Sequence, residues 1–335
     1  MGFNAVRGHA AAKEQLRTAY ERGRLAHAFL FAGPTGVGKR TFATEFAKAL
    51  LCENPPAGFD ACDRCPACRQ VAAGTHPQFY VAKTPEDKQE LPVEVTREFR
   101  SRLALRPARG GRSVGLVEDA DDFNESSANC LLKTLEEPPA GAVLVLLATD
   151  LARQLPTVRS RCQVVPFHPL GDADVAAVLA EHGVTESAEI ARLVRLSGGS
   201  PGLAVDLAGG ALAAFRDTLL AALAAPRPDP VSLAQDWIAV CEEAGKESAA
   251  QRARASNSLR IALDVLRLAL RTALDPANTS GDDAAAVRAI ASRGGPDGGA
   301  GWIEACTEAD YLVGRKVQLA LVVEKLAGQL CSLPA

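Results

Sequence analysis

Residues 27 to 41 read His27-Ala28-Phe29-Leu30-Phe31-Ala32-Gly33-Pro34-Thr35-Gly36-Val37-Gly38-Lys39-Arg40-Thr41, and no other stretch restricts the fold as tightly. An apolar run breaks at Gly33 into a glycine-rich turn that ends on Lys39, and a helix-prone segment follows from Arg40 to Leu51. Strand, G-x-x-x-x-G-K loop and helix, in that order, describe a phosphate-binding loop. Its glycines let the backbone approach phosphate oxygens and aim N–H groups at them, while the helix N-terminus and the lysine supply positive charge. The competing reading is an ordinary strand-to-helix turn; a nucleotide-binding fold is preferred. The candidate nucleotide-binding residues here are Gly33, Pro34, Thr35, Gly36, Val37, Gly38, Lys39, Arg40 and Thr41.

One position departs from an ordinary ATPase. The residue after the lysine is usually Ser or Thr, whose hydroxyl helps hold Mg²⁺. Here it is Arg40, and the hydroxyl comes one residue later at Thr41. One step along a helix turns a side chain by about 100°, so Thr41 is not a simple substitute. The loop is compatible with ATP or ADP, whereas Mg²⁺ binding and hydrolysis are compromised.

A second apolar strand, Ser113 to Val117, runs into Glu118-Asp119-Ala120-Asp121. In phosphate-loop ATPases the first carboxylate at such a strand end supports Mg²⁺, and an adjacent one commonly activates water. The usual order is Asp then Glu. Glu118 then Asp119 inverts it, so each side chain differs by one methylene from its expected reach; the alternative is that both merely cap the strand. A third strand, Ala142 to Ala148, ends at Thr149-Asp150 and adds Thr149 to the candidate set. Near-continuous apolar strands alternating with helices predict an α/β parallel sheet with helices on both faces.

After the loop helix come Cys52, Cys62, Cys65 and Cys68, spaced C-x9-C-x2-C-x2-C in a segment rich in Pro and Gly. Four thiolates so close suit tetrahedral Zn²⁺ with no open position, a structural site. An iron–sulfur cluster and unligated thiols remain as alternatives. His76 is a surplus nitrogen, read as a turn residue before Pro77. The nine cysteines are not read as disulfides, because the setting is a nucleotide fold of 335 residues and not a small secreted domain.

A net charge of −3 carries no global sign of nucleic-acid or membrane-surface binding. No stretch reaches 18 uninterrupted apolar residues and no signal-peptide core is evident, so a cytoplasmic protein without membrane contact is expected. Arg97, Arg100, Arg102, Arg106, Arg109 and Arg112 form a basic stripe whose role stays open between nucleic acid, an acidic partner and a solvated face. The expected domains are residues 1–168 for nucleotide binding, with the zinc module at about 52–75, a small helical lid at 169–208, and a helical region at 209–335. Within the last, Gly/Asp-rich residues 275–301 are expected to form a mobile loop, followed by helix from Trp302 to Leu330.

Four stretches together resemble bacterial DNA polymerase III clamp-loader subunits of the AAA+ superfamily. They are His27-Ala-Phe-Leu-Phe31 with its loop, the four-cysteine insertion, Asn129-Cys-Leu-Leu-Lys-Thr-Leu-Glu-Glu-Pro-Pro139, and Leu155-Pro-Thr-Val-Arg-Ser-Arg-Cys162. The resemblance covers most of residues 5–207 and, more loosely, the C-terminal helices. It implies an AAA+ nucleotide domain with a zinc module, a lid and a helical collar. It also implies a hetero-pentamer with gamma/tau and delta subunits that opens a sliding clamp and places it on primer-template DNA. Arg161 is then an arginine finger acting in trans on a neighbour's nucleotide.

Arg40, Glu118-Asp119 and the Ser200-Pro201-Gly202-Leu203 segment, where a sensor arginine would stand, all weaken hydrolysis in cis, while Arg161 is intact. A tau-like C-terminal extension is not expected. This combination is similar to the stator, or delta-prime, type. The alternatives are a gamma/tau-type motor ATPase and a zinc-stapled AAA+ protein of DNA recombination or repair.

Overall fold

Five parallel strands form the sheet that carries the glycine-rich loop at Gly33–Gly38. The computed structural model describes all residues except 1, 4, 5, 86, 87, 89, 106–110, 119, 246, 247, 276–282 and 333–335. The chain divides into two compact units, Met1–Gly202 and Leu203–Ala335.

In the first unit the elements run α1 (Ala10–Glu21), β1 (Ala28–Ala32), α2 (Lys39–Leu51), α3 (Pro66–Ala72), β2 (Phe79–Ala82), α4 (Val93–Leu103), β3 (Ser113–Val117) and α5 (Glu125–Glu136). They continue with β4 (Ala142–Ala148), α6 (Pro156–Arg159), β5 (Gln163–Pro166), α7 (Asp172–Glu181) and α8 (Ser187–Ser197); α9 (Pro201–Ala208) straddles the division between the units. The strand order is β2-β3-β4-β1-β5. Every residue of β1, β3 and β4 is buried, which is why these strands read as unbroken apolar runs. The parallel α/β fold expected from the alternation of strands and helices is the fold observed. The register pairs Ala32 with Ala148 on one side and with Pro166 on the other, so the carboxyl ends of β1 and β4 finish together. Ligands in open parallel sheets bind at such ends.

Under the loop lies an aromatic lattice. Phe29 and Phe31 of β1 meet Phe42 and Phe46 of α2, and Phe167 packs on Phe42 with centroids 5.0 Å apart and rings nearly perpendicular. Edge-to-face pairs of this kind contribute about 0.5–1.5 kcal/mol each beyond area burial. They hold α2 rigidly against the sheet that aims the loop. Helix α5 begins at a capping box in which Asn124 and Ser127 bond each other's backbone N–H, at 2.9 and 3.0 Å. It ends at the Pro138-Pro139 stop.

The second unit is helical: α10 (Ala211–Ala224), α11 (Pro230–Glu242), α12 (Ser248–Leu274), α13 (Ala284–Gly314) and α14 (Leu319–Cys331). One sequence expectation is corrected here. The loop expected at 275–301 is helical from Ala284 onward, residues 276–282 lying outside the described set. Val287, Ile290 and Ala291 are buried, and the backbone leaves helical geometry only at Gly295, φ 58°, just before Pro296. The glycines serve close packing. A Cβ at Gly294 would lie 2.4 Å from the Trp302 ring, and one at Gly299 would meet Leu270 of α12 at 3.2 Å. From Trp302 to Leu330 the chain is helical, as expected, with a break between α13 and α14 where Lys316 takes a positive φ of 60°. Among the described residues, no single helix is long and apolar enough to cross a membrane.

Candidate nucleotide site, cysteine cluster and surface arginine

The loop from Gly33 to Gly38 leaves β1 and enters α2 through two positive-φ glycines, Gly36 at 78° and Gly38 at 95°, a conformation that side chains other than glycine rarely adopt. Gly33 is needed for space: a Cβ there would lie 2.1 Å from the carbonyl oxygen of Phe167. Each carbonyl along the loop meets a donor. Lys39 Nζ donates to Gly33 and, at 2.8 Å, to Pro34. The Ser200 hydroxyl donates to Thr35 at 3.3 Å, the Gly202 N–H to Gly36 at 3.0 Å, and His9 Nε2 to Val37 at 2.9 Å. Burial lowers the His9 pKa, consistent with a neutral ring that serves as a donor. Ser200 and Gly202 are part of the segment where a sensor arginine was expected, and α9 contains no arginine. Sequence reasoning missed His9 and this contact; the only available signal was the small-residue run around Ser200-Pro201-Gly202.

Lys39 is buried, and burial pushes its ammonium down to about 8 against an opposing pull from Asp121. With five loop carbonyls already engaged, two of them by Lys39 itself, the loop's backbone N–H groups are what remains to face a bound anion. Thr41 is exposed on α2, one helical step beyond Arg40.

Glu118 Oε1 lies 2.8 Å from Arg40 Nε. Asp119 lies outside the described residues. Asp121, which the sequence reading left without a role, gathers the strand ends: its Oδ2 accepts from the Thr149 N–H at 2.6 Å and the Thr149 hydroxyl at 2.7 Å, and its Oδ1 from Gln154 at 2.7 Å. Thr149 therefore reaches the site through Asp121.

Cys52, Cys62, Cys65 and Cys68 come together with their sulfurs all within 4.8 Å of one another. The Cys52 and Cys65 sulfurs are 4.0 Å apart, close to the ~3.8 Å edge of a sulfur tetrahedron around an ion about 2.3 Å from each ligand. Backbone N–H groups of Cys62, Cys65 and Cys68 point at the sulfurs of Cys52, Cys62 and Cys65, each at 3.4 Å. N–H groups of Arg64 and Cys65 hold the Cys62 thiol down at about 6. These residues fit a four-coordinate metal ion. The module is tied to α2 by Lys48, 4% exposed, which pairs with Glu45 at 2.8 Å and with Asp63, between Cys62 and Cys65.

Arg161 follows α6 and is partly exposed. Its Nη1 donates to the Thr157 carbonyl at 3.0 Å, and Glu136 of α5 receives its other nitrogens. Three arginines of the basic stripe have partners, while Arg97 is exposed. Arg100 donates to the Cys130 carbonyl at 3.4 Å, Arg102 pairs with Glu98 at 2.6 Å and Arg112 covers the Tyr20 ring; Arg106 and Arg109 lie outside the described residues.

A family model described as "DNA polymerase III, delta subunit" matches residues 8–171. A DNA polymerase III subunit delta' of Pseudomonas aeruginosa is 42% identical over 183 residues, 54% of this chain and 55% of that protein. The matched stretch thus spans little more than half of that relative. The subunit delta' of Escherichia coli is 34% identical over 239 residues, 71% of this chain and 70% of that protein. A gamma/tau subunit of Mycobacterium bovis is 31% identical over 221 residues, 64% of this chain but 38% of that protein. A nucleotide loop with an altered carboxylate set, a cysteine cluster inserted after its helix, and likeness to delta' over most of both chains agree on one assignment: the chain belongs to the DNA polymerase III delta-prime subunit family.

Proposed function

We propose that this chain is the stator of a clamp loader. It assembles with gamma/tau and delta subunits in a hetero-pentamer in the cytoplasm, helps load a sliding clamp onto primer-template DNA, and lends Arg161 to the nucleotide of an adjacent motor. The observation that carries this reading is the contrast between the two sites. Arg161 is partly exposed and oriented by one exposed carboxylate, a partner that a neighbour's phosphate can replace, whereas in the chain's own loop the residue after Lys39 is an arginine paired with Glu118.

Zn²⁺ is the ion assigned to Cys52, Cys62, Cys65 and Cys68, in a closed structural site that makes the insertion rigid. ATP or ADP would be held by the N–H groups of Gly36, Gly38 and Lys39 and by the Lys39 ammonium. The residues do not fit Mg²⁺ well, because the Arg40 guanidinium already pairs with Glu118, the strand-end carboxylate a metal would use, and no hydroxyl follows Lys39. Little turnover in cis follows.

The test is steady-state ATP turnover by the isolated chain and by the reconstituted assembly. The stator reading expects almost none from the chain alone and stimulation in the assembly. Brisk turnover by the isolated chain would favour the gamma/tau-type motor, the second reading that the Mycobacterium bovis relative suggests.

A further inference from the structure

The contact between Arg40 and Glu118 carries one step more, resting on the nucleotide-binding reading of the loop. We infer that Arg40 takes the place of the divalent cation, so that this site binds the phosphates of a nucleoside di- or triphosphate without metal.

In phosphate-loop sites the metal sits between the residue after the lysine and a carboxylate at the end of a neighbouring strand, and it bridges phosphate oxygens. Both positions are filled here by side chains that satisfy each other. Arg40 is the second residue of α2, directly after Lys39, and its Nε lies 2.8 Å from Glu118 Oε1 just past the end of β3. Glu118 is 14% exposed and Arg40 is 73% exposed. The carboxylate is thus largely buried at the carboxyl end of β3, an interior strand, while the cation is exposed to solvent.

Among the described residues, Asp121 past the end of β3 is also committed. Both oxygens of Asp121 accept hydrogen bonds, from Thr149 and Gln154. A Mg²⁺ ion would have to displace a permanently charged guanidinium from Glu118 and would find no hydroxyl at the adjoining helix position. A guanidinium, by contrast, has five N–H donors in a planar fork that matches phosphate oxygens, and the contact with Glu118 occupies one of them. The positive charge that a phosphate normally receives from the ion therefore comes with the chain itself. The same substitution removes the metal-held geometry that hydrolysis uses, so binding and turnover separate at this residue.

The experiment is calorimetric titration of the purified full chain with ADP, once in EDTA and once in excess MgCl₂. Binding in EDTA no weaker than in MgCl₂ is expected. Arg40→Thr should lose ~tenfold or more of the metal-free affinity, about 1.4 kcal/mol for each factor of ten, and recover it when MgCl₂ is added. Arg40→Lys should retain part of it. Glu118→Gln should tighten metal-free binding, because the fork is released toward phosphate. Arg40 is exposed, so matched thermal unfolding of the variants excludes misfolding as the cause.

Binding by the unmodified chain only when Mg²⁺ is present would overturn the inference and leave the nucleotide site standing. Equal metal-free affinity in Arg40→Thr would overturn it in the same way. Absence of ADP binding in both buffers would overturn the inference together with the nucleotide reading beneath it.

Discussion

Arg161 and Glu136 form a two-pronged contact on a single oxygen: Oε1 of Glu136 receives Nη2 at 2.6 Å and Nε at 2.9 Å. The carboxylate belongs to the last residue of α5, and the arginine follows α6, whose Thr157 carbonyl takes Nη1. Two neighbouring elements thereby fix the direction of one surface guanidinium.

Replacing Arg161 by Ala should leave the fold intact, since an exposed ion pair contributes only about 0–1 kcal/mol. Turnover at the neighbouring subunit's site should fall by roughly 10³-fold or more, the usual effect of losing a finger supplied in trans. The measurement is ATP hydrolysis by the reconstituted assembly, with assembly itself checked by gel filtration. Unchanged turnover would refute the finger assignment.

Glu136→Gln keeps the finger and removes its charged anchor. The expected result is a few-fold loss of assembly turnover, smaller than that of Arg161→Ala, with a change in stability within about 1 kcal/mol. If turnover in this variant matched the unmodified assembly, the orienting role of Glu136 would be wrong.

Cys65→Ser should release the metal ion, read by elemental analysis of the purified chain; full retention of the ion would argue against ligation. Lys48→Met attacks the same module from the side of α2. It leaves the carboxylates of Glu45 and Asp63 beside an apolar side chain, and breaking a buried pair from one side costs roughly 3–5 kcal/mol. Denaturant unfolding should show that loss, and a midpoint equal to that of the unmodified chain would contradict it.

The pH dependence of ADP binding follows from Lys39. Burial places its ammonium at about 8 in the folded chain, below the ordinary 10.5. Between these values the unfolded chain holds the proton more readily, so this residue's contribution to stability rises with pH across the window. Binding runs the other way, because the charged form attracts phosphate. About nine-tenths of the lysine is charged one unit below its pKa and one-tenth one unit above, so affinity should weaken about tenfold from pH 7 to pH 9. Lys39→Arg should flatten the profile. A flat profile in the unmodified chain would show that Lys39 does not meet the phosphates.

Much of the molecule could be read from the chain alone wherever the cause was local. The glycine spacing of the loop, the three apolar strands and the grouping of four cysteines within 17 residues depend on contacts only a few positions apart. Backbone geometry and side-chain periodicity express such contacts directly. The same local reading failed at Gly294 and Gly299, because a glycine that admits a neighbouring ring and one that loosens a loop are the same letter in the sequence.

What the tertiary structure alone decided is which distant groups share a charge or a hydrogen bond. It set Arg40 against Glu118, placed Asp121 under Thr149 and Gln154, and brought Ser200 to the Thr35 carbonyl, 165 residues away in sequence. Those pairings depend on where the sheet brings its strand ends together, a property of the packed chain that no short segment contains.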